Sequence, residues 1–148
     1  VSTVETVEVG YASGVFDMFH IGHLNLLRRS REHCNTLVVG VASDEYVLGL
    51  KGREPVVPLA ERLEIVASLR FVDEVIVDHS EDKRLAWRDR SFDAIFKGDD
   101  WRGSPKGERL EQAMRDVGAR VVYFPYTLHT SSTRLRGYIE RSEAGSFG

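Results

Sequence analysis

Apolar runs and amphipathic segments alternate along this chain of 148 residues. Residues 7–16 read as a first strand, 36–42 as a second and 74–77 as a third, with 94–97 and 120–124 supplying a fourth and a fifth. The second and fifth are nearly all apolar rather than alternating, which is the pattern of parallel strands covered on both faces. Between them lie helical segments over 24–33, 59–69, 83–90, 107–117 and 132–141. In 59–69, Leu59, Leu63, Val66 and Ala67 share one face at helical spacing. Strands alternating with helices predict an α/β architecture: a five-stranded parallel sheet with helices on both faces and right-handed crossovers. No repeat or linker divides the chain, so one domain over 1–148 is expected, with an ordered core of about 7–141 and a frayed tail. Ligands of such sheets sit beyond the carboxyl ends of the strands, near a switch in strand order.

Composition narrows the class. Hydrophobic content of 42% and charged content of 29% are those of a soluble globular chain. No apolar run approaches the roughly 20 residues that span a bilayer, and the first residues lack the basic and apolar regions of a signal peptide. No membrane association is expected. The single cysteine, Cys34, excludes an internal disulfide framework and suits a reducing cytoplasm. A net charge of −3 argues against a nucleic-acid partner met through a broad basic face. A polyanionic ligand has to be met by local cations.

His20-Ile21-Gly22-His23 offers such a place, directly after the stretch Gly14-Val15-Phe16-Asp17-Met18-Phe19. It puts two imidazoles three residues apart where a strand gives way to a helix. Residues at that spacing share a helix face, and the free N–H groups of a first helical turn favour an anion. Gly22 has no side chain to hold a phosphate away from the backbone. Zinc is an alternative, but a catalytic zinc site usually has three protein ligands, and Asp17 or a distant residue would have to be the third. A structural role, with His20 capping the helix and His23 half buried, is the other alternative.

Further segments fall near strand ends. The loop Leu50-Lys51-Gly52-Arg53-Glu54-Pro55 is basic, and Lys51 and Arg53 are candidates for a triphosphate. Arg62 begins the next helix. Lys97-Gly98-Asp99-Asp100-Trp101 pairs carboxylates with an aromatic ring, which suits a base or ribose, an Mg²⁺ ion, or merely a turn. Thr127, Ser131, Ser132 and Thr133, followed by Arg134, open the last helix with more hydroxyls than a cap needs.

Together these residues carry a resemblance. Gly14 to His23 resembles the G-x-F-D-x-x-H-x-G-H signature of the cytidylyltransferase family, within the HxGH nucleotidyltransferase superfamily. Lys97–Trp101 resembles the G-D-D-W segment of its bacterial glycerol-3-phosphate branch, and residues 127–133 sit where that family carries an R-T-x-G-I-S-T-T-like motif. The resemblance covers about residues 10–136 and implies a Rossmann-like domain that joins CTP to a small phosphorylated alcohol, releases pyrophosphate and forms a CDP-alcohol. It implies that His20, His23, Lys51 and Arg62 are catalytic. It implies nucleotide contacts from Gly14, Val15, Phe16, Asp17, Gly22, Arg53, Gly98, Asp100, Trp101, Thr127, Ser131, Ser132 and Thr133. It further implies Mg²⁺ brought with the nucleotide, no resident metal apart from a possible role for Asp17, and a homodimer. Tyr126 stands where the family motif begins with arginine, which leaves the acceptor open. The alternatives are an adenylyltransferase that uses ATP on a sugar phosphate or flavin mononucleotide, and a non-catalytic nucleotide-binding module.

The chemistry agrees with the resemblance. No Ser-His-Asp arrangement or reactive cysteine announces a covalent intermediate. A phosphate monoester with a second pKa of about 6 is mostly a dianion at neutral pH and needs no general base. The protein has only to position the reactants and stabilise charge.

Overall fold

The computed structural model describes residues 6–125 and 139–141. Five strands form one parallel sheet: β1 (Val7–Gly14), β2 (Cys34–Ala42), β3 (Glu74–Asp78), β4 (Ala94–Gly98) and β5 (Arg120–Phe124). Their order is β3-β2-β1-β4-β5, so the winding reverses between β1 and β4. Five helices connect them: α1 (Ile21–Glu32), α2 (Asp44–Lys51), α3 (Leu59–Ala67), α4 (Lys83–Asp89) and α5 (Pro105–Val117). The expected parallel α/β sheet is therefore present. Among the described residues no helix is long and apolar enough to cross a membrane.

Period-two alternation divides the core between the two faces of the sheet. Leu37 and Val39 of β2 pack with Ala94 and Phe96 of β4 beneath Leu27 of α1 and Val66 of α3. The intervening residues, Val38 and Ile95, face the other way with Tyr11, under Ala86 of α4 and Leu110 and Met114 of α5. Continuous apolar strands are thus buried on both sides, as their composition requires.

Gly40 illustrates how tightly the second layer is built. A Cβ there would lie 1.7 Å from the Tyr11 hydroxyl, and Tyr11 is fully buried with that hydroxyl donating to Asp78 Oδ2 at 2.9 Å. The ring has nowhere to go. Gly40→Ala is expected to cost about 1–3 kcal/mol, as over-packing a filled core does, measured as a shift in the urea midpoint.

Element boundaries differ from the sequence reading at instructive places. β1 stops at Gly14 rather than residue 16, because Phe16 takes φ 55° and Met18 φ 50°. Left-handed backbone at residues with a Cβ is strained by about 1–2 kcal/mol each. α1 begins at Ile21, three residues earlier than expected, because His20 caps it. α2 was not anticipated. It occupies part of the stretch read as a basic loop, with Ser43 as its N-cap and Gly52 at φ 75° ending it. The helix expected over 132–141 lies mostly outside the described residues; its described part, 139–141, is helical.

Candidate functional site

The loop between β1 and α1 carries the strain and the histidines together. Asp17 lies between the two left-handed residues and is almost fully buried. Its Oδ2 accepts from Val56 N at 2.9 Å and its Oδ1 from Val57 N at 2.8 Å. Both carboxylate oxygens thus hold the chain that leads into α3, and the same carboxylate bears electrostatically on His23. The Phe16 side chain is a core residue, with its ring 5.4 Å from the His23 ring in an edge contact.

His20 and His23 cap α1 reciprocally. His20 Nδ1 accepts from Gly22 N at 3.0 Å, and His23 Nδ1 accepts from His20 N at 3.3 Å. This is a capping box made of imidazoles in place of the usual hydroxyl and carboxylate. The structural alternative for these residues is thus real, yet it uses only one nitrogen of each ring. A neutral imidazole accepting at Nδ1 carries its proton on Nε2, so each ring keeps a donor. The Nε2 of His20 is buried and has no hydrogen-bond partner among the described residues. The rings stack with centroids 3.8 Å apart and planes 23° from parallel.

This geometry disfavours charge on either ring. Burial lowers the His20 pKa. Burial first, and then the neighbouring His20, pulls His23 down from 6.5 to about 4. Both shifts favour the neutral form of the unliganded pair near neutral pH. A stability consequence follows from His23. The unfolded chain takes up a proton near pH 6.5 while the folded one resists until about 4, so stability falls as pH drops through that window. Between about pH 7.5 and pH 5 the loss is expected to be about 2 kcal/mol, and it is expected to vanish in His23→Gln. Urea unfolding at the two pH values measures it.

Lys51 ends α2, is exposed, and bears electrostatically on His23. The fold therefore places its charge within reach of His23. Arg53 lies in the following loop, exposed and 3.8 Å from Glu140.

Arg62 requires a correction. It is fully buried on α3, and its guanidinium is held by three backbone carbonyls and one carboxylate. Nε donates to Val57 O at 2.8 Å, and Nη1 donates to Val15 O at 2.9 Å and to Ala42 O at 2.7 Å. Nη2 binds Asp44. Arg62 ties the ends of β1 and β2 to the entries of α2 and α3 rather than facing a phosphate.

On the sheet face opposite α1, a cavity of about 730 Å³ opens across the carboxyl ends of the strands. The β1–β4 ladder ends at Tyr11↔Ile95, whereas β1 stays paired with β2 through Gly14↔Val41. The two strands at the switch point therefore part, as expected for a ligand crevice. Gly14 and Val15, which lead into the histidine loop, line this cavity, as do Lys83, Lys97 and Trp101. Gly98 closes β4, and the single 3₁₀ turn Asp99–Trp101 follows it, leaving Asp100 exposed. The Trp101 ring, expected to offer a stacking face, instead has Lys97 Nζ 4.4 Å and Lys106 Nζ 5.9 Å from its centroid. Gly107 lets α5 close on this turn, since a Cβ there would meet Trp101 O at 1.9 Å.

Sequence reasoning missed the buried network behind the cavity. Lys83 Nζ donates to Asp78 Oδ2 and to Ser80 O, each at 2.8 Å, and Tyr11 shares the same carboxylate oxygen. Lys83 had been legible only as the start of a helix. Thr127, Ser131, Ser132 and Thr133 lie outside the described residues. Among the described residues, no group of three or more His, Cys, Asp or Glu is placed to hold a metal ion.

Comparison with known proteins agrees with this geometry. A family model described as cytidylyltransferase-like matches residues 11–138. The chain is 46% identical over 133 residues to an ethanolamine-phosphate cytidylyltransferase of Arabidopsis thaliana, a match that covers 86% of this chain but only 31% of that protein. An FAD synthase of Thermococcus onnurineus is 36% identical, over 88% of this chain and 87% of its own length. The crystal structure of a lipopolysaccharide core biosynthesis protein from Thermoplasma volcanium superposes with a TM-score of 0.69 at 27% identity, covering 84% of this chain and 99% of that one.

Proposed function

Because the chain belongs to the cytidylyltransferase-like family, we propose that it transfers CMP from CTP to a small phosphorylated alcohol such as glycerol 3-phosphate, releasing pyrophosphate and forming a CDP-alcohol. The observation that carries this reading is the reciprocal histidine cap. It spends both Nδ1 atoms on α1 and leaves two Nε2–H donors at a helix N-terminus.

In this reading the triphosphate lies across that helix mouth. His20 and His23 donate from Nε2 to phosphate oxygens, the first-turn N–H groups add their dipole, and Lys51 supplies a full charge. A triphosphate beside the imidazoles raises their pKa, so proton uptake on binding strengthens the same contacts. The acceptor phosphate attacks the α-phosphorus in line as a dianion and needs no base from the protein. Asp17 and Arg62 act as positioning residues, holding the loop that bears the histidines against the chain that follows Lys51 and Arg53. Gly98 and Asp100 are assigned to the ribose side. An Mg²⁺ ion on a triphosphate neutralises charge on its oxygens. The described side chains build no cage for one, so in this reading it belongs to the nucleotide.

A second reading is favoured by the FAD synthase match, which covers most of both chains: transfer of AMP from ATP to flavin mononucleotide. Pyrophosphate release, assayed with each of the four nucleoside triphosphates against phosphorylated alcohols and against flavin mononucleotide, separates the two. Release with CTP and an alcohol phosphate is expected. Release with ATP and the flavin alone would transfer the chain to the second reading.

A further inference from the structure

The cavity between α2, α4 and α5 carries an excess of one cation, with the exposed carboxylate of Glu81 also on its wall, and where the unpaired cations sit bears on the acceptor. Lys83 is balanced by Asp78 at 2.8 Å, and Arg84 by Asp82 and Asp116. Lys97 and Lys106 form no ion pair among the described residues. Both ammonium groups are drawn instead to the Trp101 ring. Arg109 adds a further cation to the same wall. The groups that act on Lys97 are Lys83 and Lys106 with its own sign, against Asp78 and Asp100. Burial is the leading cause that brings its pKa down from 10.5 to about 8, and the two carboxylates offset it only in part. An aromatic ring is the usual receptor for an ammonium ligand. Here that position is held by the protein's own lysines.

We propose that this cavity receives the acceptor and that Lys97, aided by Lys106, determines its class: a phosphorylated polyol or sugar, with hydroxyl or anionic groups beyond the reacting phosphate, and not a phosphorylated amino alcohol. The inference rests on the nucleotidyltransferase reading and refines it. It also runs against the substrate named for the plant relative, so it is a statement about this chain. An ammonium head in the cavity meets two like charges, while an anion or a lone pair is what Lys97 lacks. Gly14 and Val15, which line the cavity and run into the histidine loop, give the phosphate of an acceptor whose far end meets Lys97 a route to the α-phosphorus.

The test compares kcat/KM with CTP for glycerol 3-phosphate, phosphoethanolamine and phosphocholine in the wild type, Lys97→Met and Lys106→Met. The wild type is expected to favour glycerol 3-phosphate over either amino alcohol by about tenfold or more, from like-charge repulsion in a partly buried site. Lys97→Met is expected to shrink that preference by about fivefold or more, with the KM for CTP changed by less than about twofold. Lys106 is exposed, so its variant keeps the test open if Lys97→Met does not fold. A wild-type preference for phosphoethanolamine, an unmoved ratio in both variants, or a change confined to the KM for CTP would overturn the inference while leaving the enzyme assignment standing. Absence of pyrophosphate release with every acceptor and every triphosphate would overturn both.

Discussion

Replacing the histidines by residues that keep the helix cap but lack a distal donor, His20→Asn and His23→Gln, is expected to lower kcat by about 10²–10³ in each case, the scale of one lost oxyanion-type donor. Stability near neutral pH is expected to stay almost constant. Asparagine is a preferred N-cap, and its oxygen can take the Gly22 N–H now accepted by His20 Nδ1. Glutamine is a usual third residue of a capping box, and its oxygen can reach the His20 N–H now accepted by His23 Nδ1. What neither variant retains is Nε2–H. Alanine confuses the two roles, because loss of a cap alone costs about 0.5–2 kcal/mol. Steady-state kinetics beside urea unfolding separates them: normal turnover in either cap-preserving variant would restrict these imidazoles to structure.

The second large effect concerns Arg62. Arg62→Met is expected to destabilise the fold by about 3–5 kcal/mol, the cost of removing one partner from a buried charged network. The substitution leaves the carbonyls of Val15, Ala42 and Val57 and the carboxylate of Asp44 without the donor that now joins them. Lysine is not expected to rescue it, because an ammonium is a compact point charge and lacks the planar fork that reaches four acceptors at once. An arginine that gripped phosphate would behave in the opposite way. Its truncation would leave the urea midpoint in place and raise the KM for the nucleotide.

The sheet was legible because its strands are short apolar runs separated by helical periodicity. Residues 36–42 and 120–124 carry the nearly continuous apolar pattern of covered parallel strands. The histidine loop was legible because its chemistry is local: spacing, a glycine and a strand end lie within ten residues. α2 escaped attention although Ser43, Asp44, Glu45 and Gly52 spell out its caps, because its eight residues include Gly49 and look like the start of the basic loop that follows. Arg62 and Asp17 were read as facing ligand because sequence shows a charge but not its burial. Both charges are met by backbone from segments about 40 residues away, at Val15 and at Val56 and Val57. Lys97 depends on contacts no spacing rule reveals. It is unremarkable in sequence and becomes informative only when Trp101 and Lys106 close over it.

The most direct test of the central claim is a crystal structure of the protein with CTP and magnesium. The account predicts phosphate oxygens about 2.7–3.2 Å from Nε2 of both His20 and His23, with both Nδ1 atoms still accepting from the backbone of α1. A triphosphate bound away from the start of α1, or imidazoles that have left their caps to hold a metal ion, would contradict it.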